Sequence, residues 1–180
     1  THKNLITSNQ DSDNTISKLE KIIPDTTVIT GGRKNGLKIL QNFDKIEDYN
    51  VQRNIPSKPT SQLSTHNRFG TISIREVYKA ASNFFGNDHS FISELYWRDF
   101  FTHLMFHFPH SQKKEFQEKY QDLKWSHDKK KLEKWYNGMT GFPIVDAGMR
   151  ELKQTGFMHN RCRMIVASFL TKDLQCDWRL

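Results

Sequence analysis

Asn160, Arg163 and Met164 fall at i, i+3 and i+4 in the run Thr155-Gly-Phe-Met-His-Asn-Arg-Cys-Arg-Met-Ile-Val-Ala-Ser-Phe-Leu-Thr171, so they share one helix face. The residues around them are apolar on almost every side of a helical wheel, the pattern of a helix buried in a core. A guanidinium placed there is costly unless an anion meets it. Two arrangements would satisfy it. A carboxylate from another helix can pair with Arg163 while Asn160 caps a backbone group, or the amide and the arginine can face a bound polar ligand.

A second set, Phe91, Glu94, Trp97, Arg98 and Phe101, recurs at i, i+3, i+6, i+7 and i+10 as one continuous stripe. A carboxylate and an arginine inside an aromatic stripe suit an aromatic ligand with polar edges. A core face with a Glu94–Arg98 ion pair fits the same spacing. Thr60-Ser61-Gln62-Leu63-Ser64 sets three hydroxyls beside backbone N–H groups, donors suited to phosphate oxygens, although such clusters after proline are also ordinary turn chemistry. His103 and His107 form an HxxxH with His110 nearby, but Leu104 stands where HExxH carries its glutamate, so no metal is expected. His159 reads as a core or interface histidine rather than a general base.

The elements that must position these groups are helical. Gly31-Gly32 opens a helix from Arg33 to about Phe43, with Leu37, Ile39, Leu40 and Phe43 on its buried side. Asp44 to Asn67 is polar and irregular, with Pro56 and Pro59 excluding regular helix. A segment of that length inside a compact domain is usually functional or disordered. Ser73 N-caps a helix to about Phe85, with Glu76 at the capping-box position, and Phe91 to about Phe108 is a strongly aromatic helix ended by Pro109. Ser111–Glu133 is highly charged, with Trp125 in a polar setting. A helix then runs through Trp135, and Pro143 suits the first position of another over Ile144–Leu152. There is no internal repeat and no strand pattern, so the fold class is all-α. Residues 1–30 read as a linker or the tail of a missing N-terminal domain, with a short amphipathic turn at Ile16–Ile23, and residues 31–180 as one helical domain.

At 180 residues the chain can bury a real core. Its formal charge of +7 favours an anionic partner, nucleic acid first and an acidic membrane surface second, though lysine-rich solvated helix faces give the same balance. Cys162 and Cys176 have no CxxC spacing, which argues against a disulfide scaffold or zinc ribbon and fits a reducing, intracellular compartment. No run is apolar and long enough to span a membrane. The sequence starts without Met and stops soon after an apolar helix, and is expected to be a piece of a larger protein.

Several blocks carry a family resemblance, in order and with family-like spacing. They are Tyr49-x-x-x-Arg53-Asn-x-Pro56, Thr60-Ser-Gln-Leu-Ser64, Gly70-x-x-Ser73-x-Arg75, Glu94-Leu-Tyr-Trp-Arg-Asp-Phe100, Trp135-x-x-Gly-x-Thr-Gly-Phe-Pro-Ile-Val-Asp-Ala-Gly-Met-Arg150, the Thr155–Met164 run, and Ser168-Phe-Leu-Thr-Lys-Asp-Leu174 through Asp177-Trp-Arg179. Over roughly Gly31 to Leu180 they resemble the flavin domain of a DNA photolyase. The resemblance implies a helical FAD-binding domain of the photolyase/cryptochrome type, incomplete at its C-terminus, with FAD as cofactor and DNA containing pyrimidine dimers as partner. Such an enzyme works wherever the DNA is, in cytoplasm or nucleus.

Residue by residue, the resemblance implies that Tyr49, Thr60, Ser61, Gln62, Leu63 and Ser64 contact the flavin's phosphates and ribose. Phe91, Arg98, Asn160 and Arg163 join them, with Asn160 facing flavin N5 and Arg163 near the isoalloxazine. Arg53 matches a DNA-backbone contact, Glu94 the carboxyl group that hydrogen-bonds the damaged bases, and Trp97 the aromatic wall they stack on. Arg98, Phe101, Asn160 and Met164 complete the DNA-facing set, and Glu94, Trp97, Asn160 and Met164 carry the catalysis. Trp125 and Trp178 match the outer and middle members of a tryptophan relay that photoreduces the flavin.

Relatives that repair the (6-4) lesion carry histidines at the positions of Asn160 and Met164. DASH-type relatives have Gln in place of Met164, and plant cryptochromes have Asp in place of Asn160. The chain therefore resembles class I cyclobutane pyrimidine dimer photolyases most. An upstream antenna domain, the family's Asp-rich flavin loop and the tryptophan nearest the flavin have no counterpart in the sequence. A split or truncated photolyase completed by a second chain is expected, with a cryptochrome-like photoreceptor or a cofactor-free DNA-binding remnant as the alternatives.

Overall fold

A computed structural model describes residues 29–46, 48–58 and 60–180; the Ile16–Ile23 turn and Pro59 lie outside them. The described residues form eight α-helices: α1 (Arg33–Leu40), α2 (Tyr49–Gln52), α3 (Leu63–Phe69), α4 (Ile74–Phe85), α5 (Ser90–His107), α6 (Lys129–Tyr136), α7 (Pro143–Thr155) and α8 (Asn160–Ser168). Short 3-10 turns cover Phe43–Ile46, Pro109–Gln112 and Glu118–Tyr120, and α8 widens into a π-helical turn at Phe169–Asp173. Extended pairing among the described residues amounts to a single parallel bridge, Ser126 with Cys176. No described helix is long and apolar enough to cross a membrane.

The first core gathers α1 to α5. Phe43, Phe85 and Phe91 meet with ring centroids 5.3 to 5.5 Å apart, beside Ile72, Val77, Ala81, Ile92 and Leu95. Fully burying side chains of this size contributes about 1.5–3 kcal/mol each. α1 ends at Leu40 rather than at Phe43, because the chain turns at Gln41–Asn42 and a separate 3-10 turn swings Phe43 and Ile46 inward. The stretch expected to be irregular holds α2 and begins α3. Ser73 and Glu76 form the expected capping box: Glu76 accepts from the Ser73 N–H at 3.0 Å, and Ser73 Oγ accepts from the Arg75 N–H at 3.3 Å. Arg33 grips the same glutamate with bonds of 2.7 and 3.0 Å, tying α1 to α4. That bond, with the Ser73 N–H, holds the Glu76 carboxyl down at about 2.

The second core joins α6, α7 and α8 through Val145, Met149, Met158, Cys162 and Val166, with Trp135 donating its indole N–H to the Val166 carbonyl at 3.0 Å. Gly148 makes the approach of α7 to α8 possible: a Cβ there would sit 3.1 Å from Val166 Cγ2 and 3.2 Å from Cys162 Cβ. α8 is not buried all round, as its composition suggested. Only Cys162 and Val166 are buried, while Met164 and Ile165 are 55% and 40% exposed, because α7 covers one side alone.

The turn before α7 is organised by Asp146. Its carboxylate, only 7% exposed, accepts from Thr140 N at 2.8 Å, Thr140 Oγ1 at 2.6 Å and Gly141 N at 2.9 Å. Burial alone would raise its carboxyl pKa, but these bonds and nearby Arg150 bring it below the usual carboxylate range. Gly138, at φ +62°, lets the chain pass the Asp146 carbonyl; a Cβ would come within 2.8 Å of that oxygen.

Asp146→Ala is expected to lower unfolding free energy in urea by about 2–3 kcal/mol, since it leaves several buried donors unpaired. Gly138→Ala should cost more than about 1 kcal/mol, from left-handed strain plus the backbone clash. The Asp146 carboxyl is depressed in the folded state, so its contribution is present above the ordinary carboxylate range and is lost as pH falls through the folded value. The Tm gap between the natural chain and Asp146→Asn should therefore shrink on acidification.

Candidate functional site

α2 packs against α5 and brings Arg53 to Glu94, whose carboxylate accepts a bond of 2.6 Å from the guanidinium. The Glu94–Arg98 pair allowed by helical spacing does not form; Arg98 bonds Asp99 at 2.8 Å instead. Behind Glu94, Tyr49 meets Phe91 edge-on with centroids 5.2 Å apart, and Arg53 lies 5.7 Å from the Tyr49 ring centre. Burial first, then the Glu94 charge, raises the Tyr49 phenol, which stays protonated and able to donate. His89 N-caps α5 by accepting the Phe91 N–H at 3.2 Å through Nδ1.

The opposite wall belongs to the second core. His159 N-caps α8, its Nδ1 accepting from the Arg161 N–H at 3.1 Å, which places the neutral ring's proton on Nε2. Burial, with the Arg161 charge, lowers its pKa against the pull of Glu151, so the ring favours the neutral form. This capping aims Asn160 and Arg163 from the first turn of the helix. Arg161 reaches across to Asn54 Oδ1 at 2.5 and 3.0 Å and ties the two walls together.

Between the walls lies a hollow of about 510 Å³. Tyr49, Arg53, Thr60, Ser61, Gln62, Leu63, Ser64, Phe91, Glu94, Arg98, Asn160 and Arg163 all line it. Three of the expected catalytic and DNA-facing residues do not. Trp97 and Phe101 lie on the outer face of α5, stacked on each other at 6.0 Å and more than half exposed. Met164 lies on the exposed face of α8, its Sδ 3.9 Å from Asn160 Nδ2. Arg163 is exposed and has no ion pair among the described residues, so the burial cost that its sequence setting implied does not arise. Trp125 and Trp178 are apart from this hollow and line a second one together.

The hollow also contains residues that spacing alone did not single out. Asn67 and Arg68 follow Ser64 at i+3 and i+4 on α3, a helical offset that could have flagged them. His159 both caps α8 and lines the hollow. Gln62 takes a left-handed conformation at φ 54°, an uncommon state for a residue with a Cβ and a frequent one at ligand sites. Among the described residues no group of three or more His, Cys, Asp and Glu converges as a metal site.

The donor set fits a flavin dinucleotide. Four guanidinium groups, from Arg53, Arg68, Arg98 and Arg163, face one carboxylate, Glu94, so the lining suits an anion. The hydroxyls of Thr60, Ser61 and Ser64 are neutral phosphate donors. Asn67 Oδ1 and His159 Nε2 are buried without a protein partner, polar groups that a bound molecule would satisfy.

Residues 91–180 match the FAD binding domain of DNA photolyase. The deoxyribodipyrimidine photo-lyase of Alkalihalophilus pseudofirmus is 46% identical over 155 residues, which are 83% of this chain and 32% of the relative. A bacterial class III photolyase from Agrobacterium tumefaciens superposes with a TM-score of 0.79 at 40% identity, over 98% of this chain and 36% of that one. The cryptochrome of Synechocystis superposes at 0.75 and 36% identity, over 86% of this chain and 34% of that one. The chain thus spans about a third of the length of these relatives. With half of its residues matching the domain profile, over the same helices that build the Asn160–Arg163 wall, the chain belongs to the DNA photolyase family and forms part of that family's FAD-binding domain.

Proposed function

We propose that this chain forms the flavin- and lesion-facing part of a light-driven DNA repair enzyme that reverses cyclobutane pyrimidine dimers with an electron from reduced FAD. One observation carries the proposal: the hydroxyl cluster, the Glu94 carboxylate and the Asn160–Arg163 face of α8 surround a single hollow with a cationic lining. When bound, reduced FAD supplies the photochemistry, giving one electron to the dimer under blue or near-UV light and taking it back once the ring has split.

The chain's own residues bind and orient. Thr60, Ser61 and Ser64 donate to the diphosphate, Arg68 offsets its charge, and Arg163 lies near the isoalloxazine. The Asn160 amide offers a hydrogen bond without a titratable proton, and with Met164 in place of histidine or glutamine it favours class I dimer repair. Photolyases take their target bases out of the DNA stack. Glu94, oriented by Arg53, hydrogen-bonds the base edges in the hollow. Trp97 and Phe101 form an exposed aromatic shelf on α5, and stacking on such rings contributes about 1–3 kcal/mol per base. The net charge of +7 holds the phosphate backbone in a salt-dependent way. Trp125 and Trp178 carry electrons along the second hollow. A completing second chain belongs to the same proposal.

The similarity to the Synechocystis cryptochrome favours one other reading, a flavin photoreceptor without repair. Repair of a thymine-dimer oligonucleotide under blue light, by the FAD-loaded chain with any completing chain, separates the two; binding of FAD without any dimer reversal would favour the photoreceptor.

Arg163→Ala should weaken FAD binding about tenfold, equal to ~1.4 kcal/mol, by fluorescence titration. Glu94→Gln should lower repair yield per absorbed photon several-fold without a matching loss of FAD affinity, since it removes the lesion-facing carboxylate and its ion pair with Arg53 but no cationic or hydroxyl donor of the hollow. Equal loss of both readouts in Glu94→Gln would mean that this carboxylate shapes the cofactor site rather than the lesion site.

A further inference from the structure

A second hollow, of about 760 Å³, opens between the Ser111–Trp125 stretch and the turn that follows α8. Trp125 and Trp178 both line it, together with Glu115 and the lysines Lys114, Lys124 and Lys172. The Trp125 indole donates its Nε1–H to Glu115 Oε1 at 3.4 Å. The Glu115 side chain is only 10% exposed, and a carboxylate so enclosed needs partners. Its one cationic neighbour within ion-pair distance among the described residues is Arg179, at 3.6 Å. That guanidinium is largely committed elsewhere, bonding Asp177 at 2.7, 2.8 and 3.0 Å. Glu115 is therefore held against the indole by a weak cationic partner and keeps lone pairs free to accept a proton.

We infer that Glu115 is the proton acceptor for Trp125 when that indole loses an electron, which makes oxidation of this tryptophan a coupled loss of electron and proton. The inference rests on the proposed relay role of Trp125 and Trp178. In the step, Trp125 gives one electron to the oxidised Trp178 indole, itself oxidised by an external one-electron oxidant such as photoexcited free flavin. The Trp125 Nε1–H bond breaks, an O–H bond forms on Glu115, and the ring becomes a neutral indolyl radical. A soluble thiol later returns one electron, and Glu115 returns its proton to Nε1. An indole that has lost an electron is a far stronger acid than the neutral ring, and the hydrogen bond already in place shortens as the ring becomes cationic. Lys114, Lys124, Lys172 and Arg179 favour departure of a proton from a positive ring and oppose protonation of Glu115. The direct bond decides between these opposed effects, because the exposed lysine charges are screened by solvent. Neutralising the ring would slow return of the electron to it, since the proton must return as well. The plain alternative is that Glu115 only satisfies a half-buried indole N–H.

Laser flash photolysis of the full chain, with photoexcited free flavin mononucleotide in solution as oxidant, distinguishes these. Transient absorption separates the cationic from the neutral indolyl radical, and Trp125→Phe identifies the share that belongs to Trp125. Glu115→Gln keeps an acceptor for the indole N–H but no base, and should form the neutral Trp125 radical at least about tenfold more slowly than the natural chain, a barrier higher by ~1.4 kcal/mol. Glu115→Asp should recover most of the rate. Equal rates in the natural chain and Glu115→Gln overturn the inference and leave the relay standing. A Trp125→Phe trace identical to the natural chain's overturns both.

Discussion

Among the described residues, Glu94 is the one carboxylate lining a hollow that four arginines also line. One of these, Arg53, it neutralises directly at 2.6 Å. Arg98 is paired with Asp99 at 2.8 Å, which leaves Arg68 and Arg163 without an ion-pair partner among the described residues, and an anion in this partly enclosed space would meet their charge. The two hydrophobic cores serve this arrangement: the first fixes α2, α3 and α5 on one wall, and the second fixes α8 on the other. The Arg161–Asn54 bonds cross between them. A dinucleotide with a diphosphate at its centre meets the charge, the hydroxyls and the unpartnered amide and imidazole atoms together.

Much of the site was legible because its chemistry is local in sequence. The Thr60–Ser64 hydroxyls, the Phe91–Glu94–Arg98 stripe and the Asn160–Arg163 pair each depend on spacing within one turn or one helix, and each lines the hollow. Glu94's partner was not legible. Arg53 lies 41 residues away and reaches it only because α2 packs on α5, whereas helical spacing pointed to Arg98. Asn67 and Arg68 continue the hydroxyl cluster at helical offsets, but two prolines made that segment read as irregular, and α3 begins just beyond them.

The misjudged burial of α8 has a similar origin. Hydrophobic residues around a whole helix mark a surface that packs somewhere, and composition does not say how much of it is covered by the neighbours present. α7 covers Cys162 and Val166, while Arg163, Met164 and Ile165 remain open. The distal half of α5 behaves alike, with Trp97, Phe100, Phe101 and Phe106 each more than half exposed. Capping, by contrast, followed its rules closely, since the Ser73–Glu76 box depends on residues three apart and on nothing distant.

The central claim is that this hollow selects a flavin through its diphosphate as well as its ring. Comparing the affinities of FAD and riboflavin for the purified chain by fluorescence titration at low salt tests it directly. The account predicts FAD binding at least about tenfold tighter than riboflavin, a margin of ~1.4 kcal/mol that shrinks as salt rises. Equal affinity for the two at every salt concentration would contradict it.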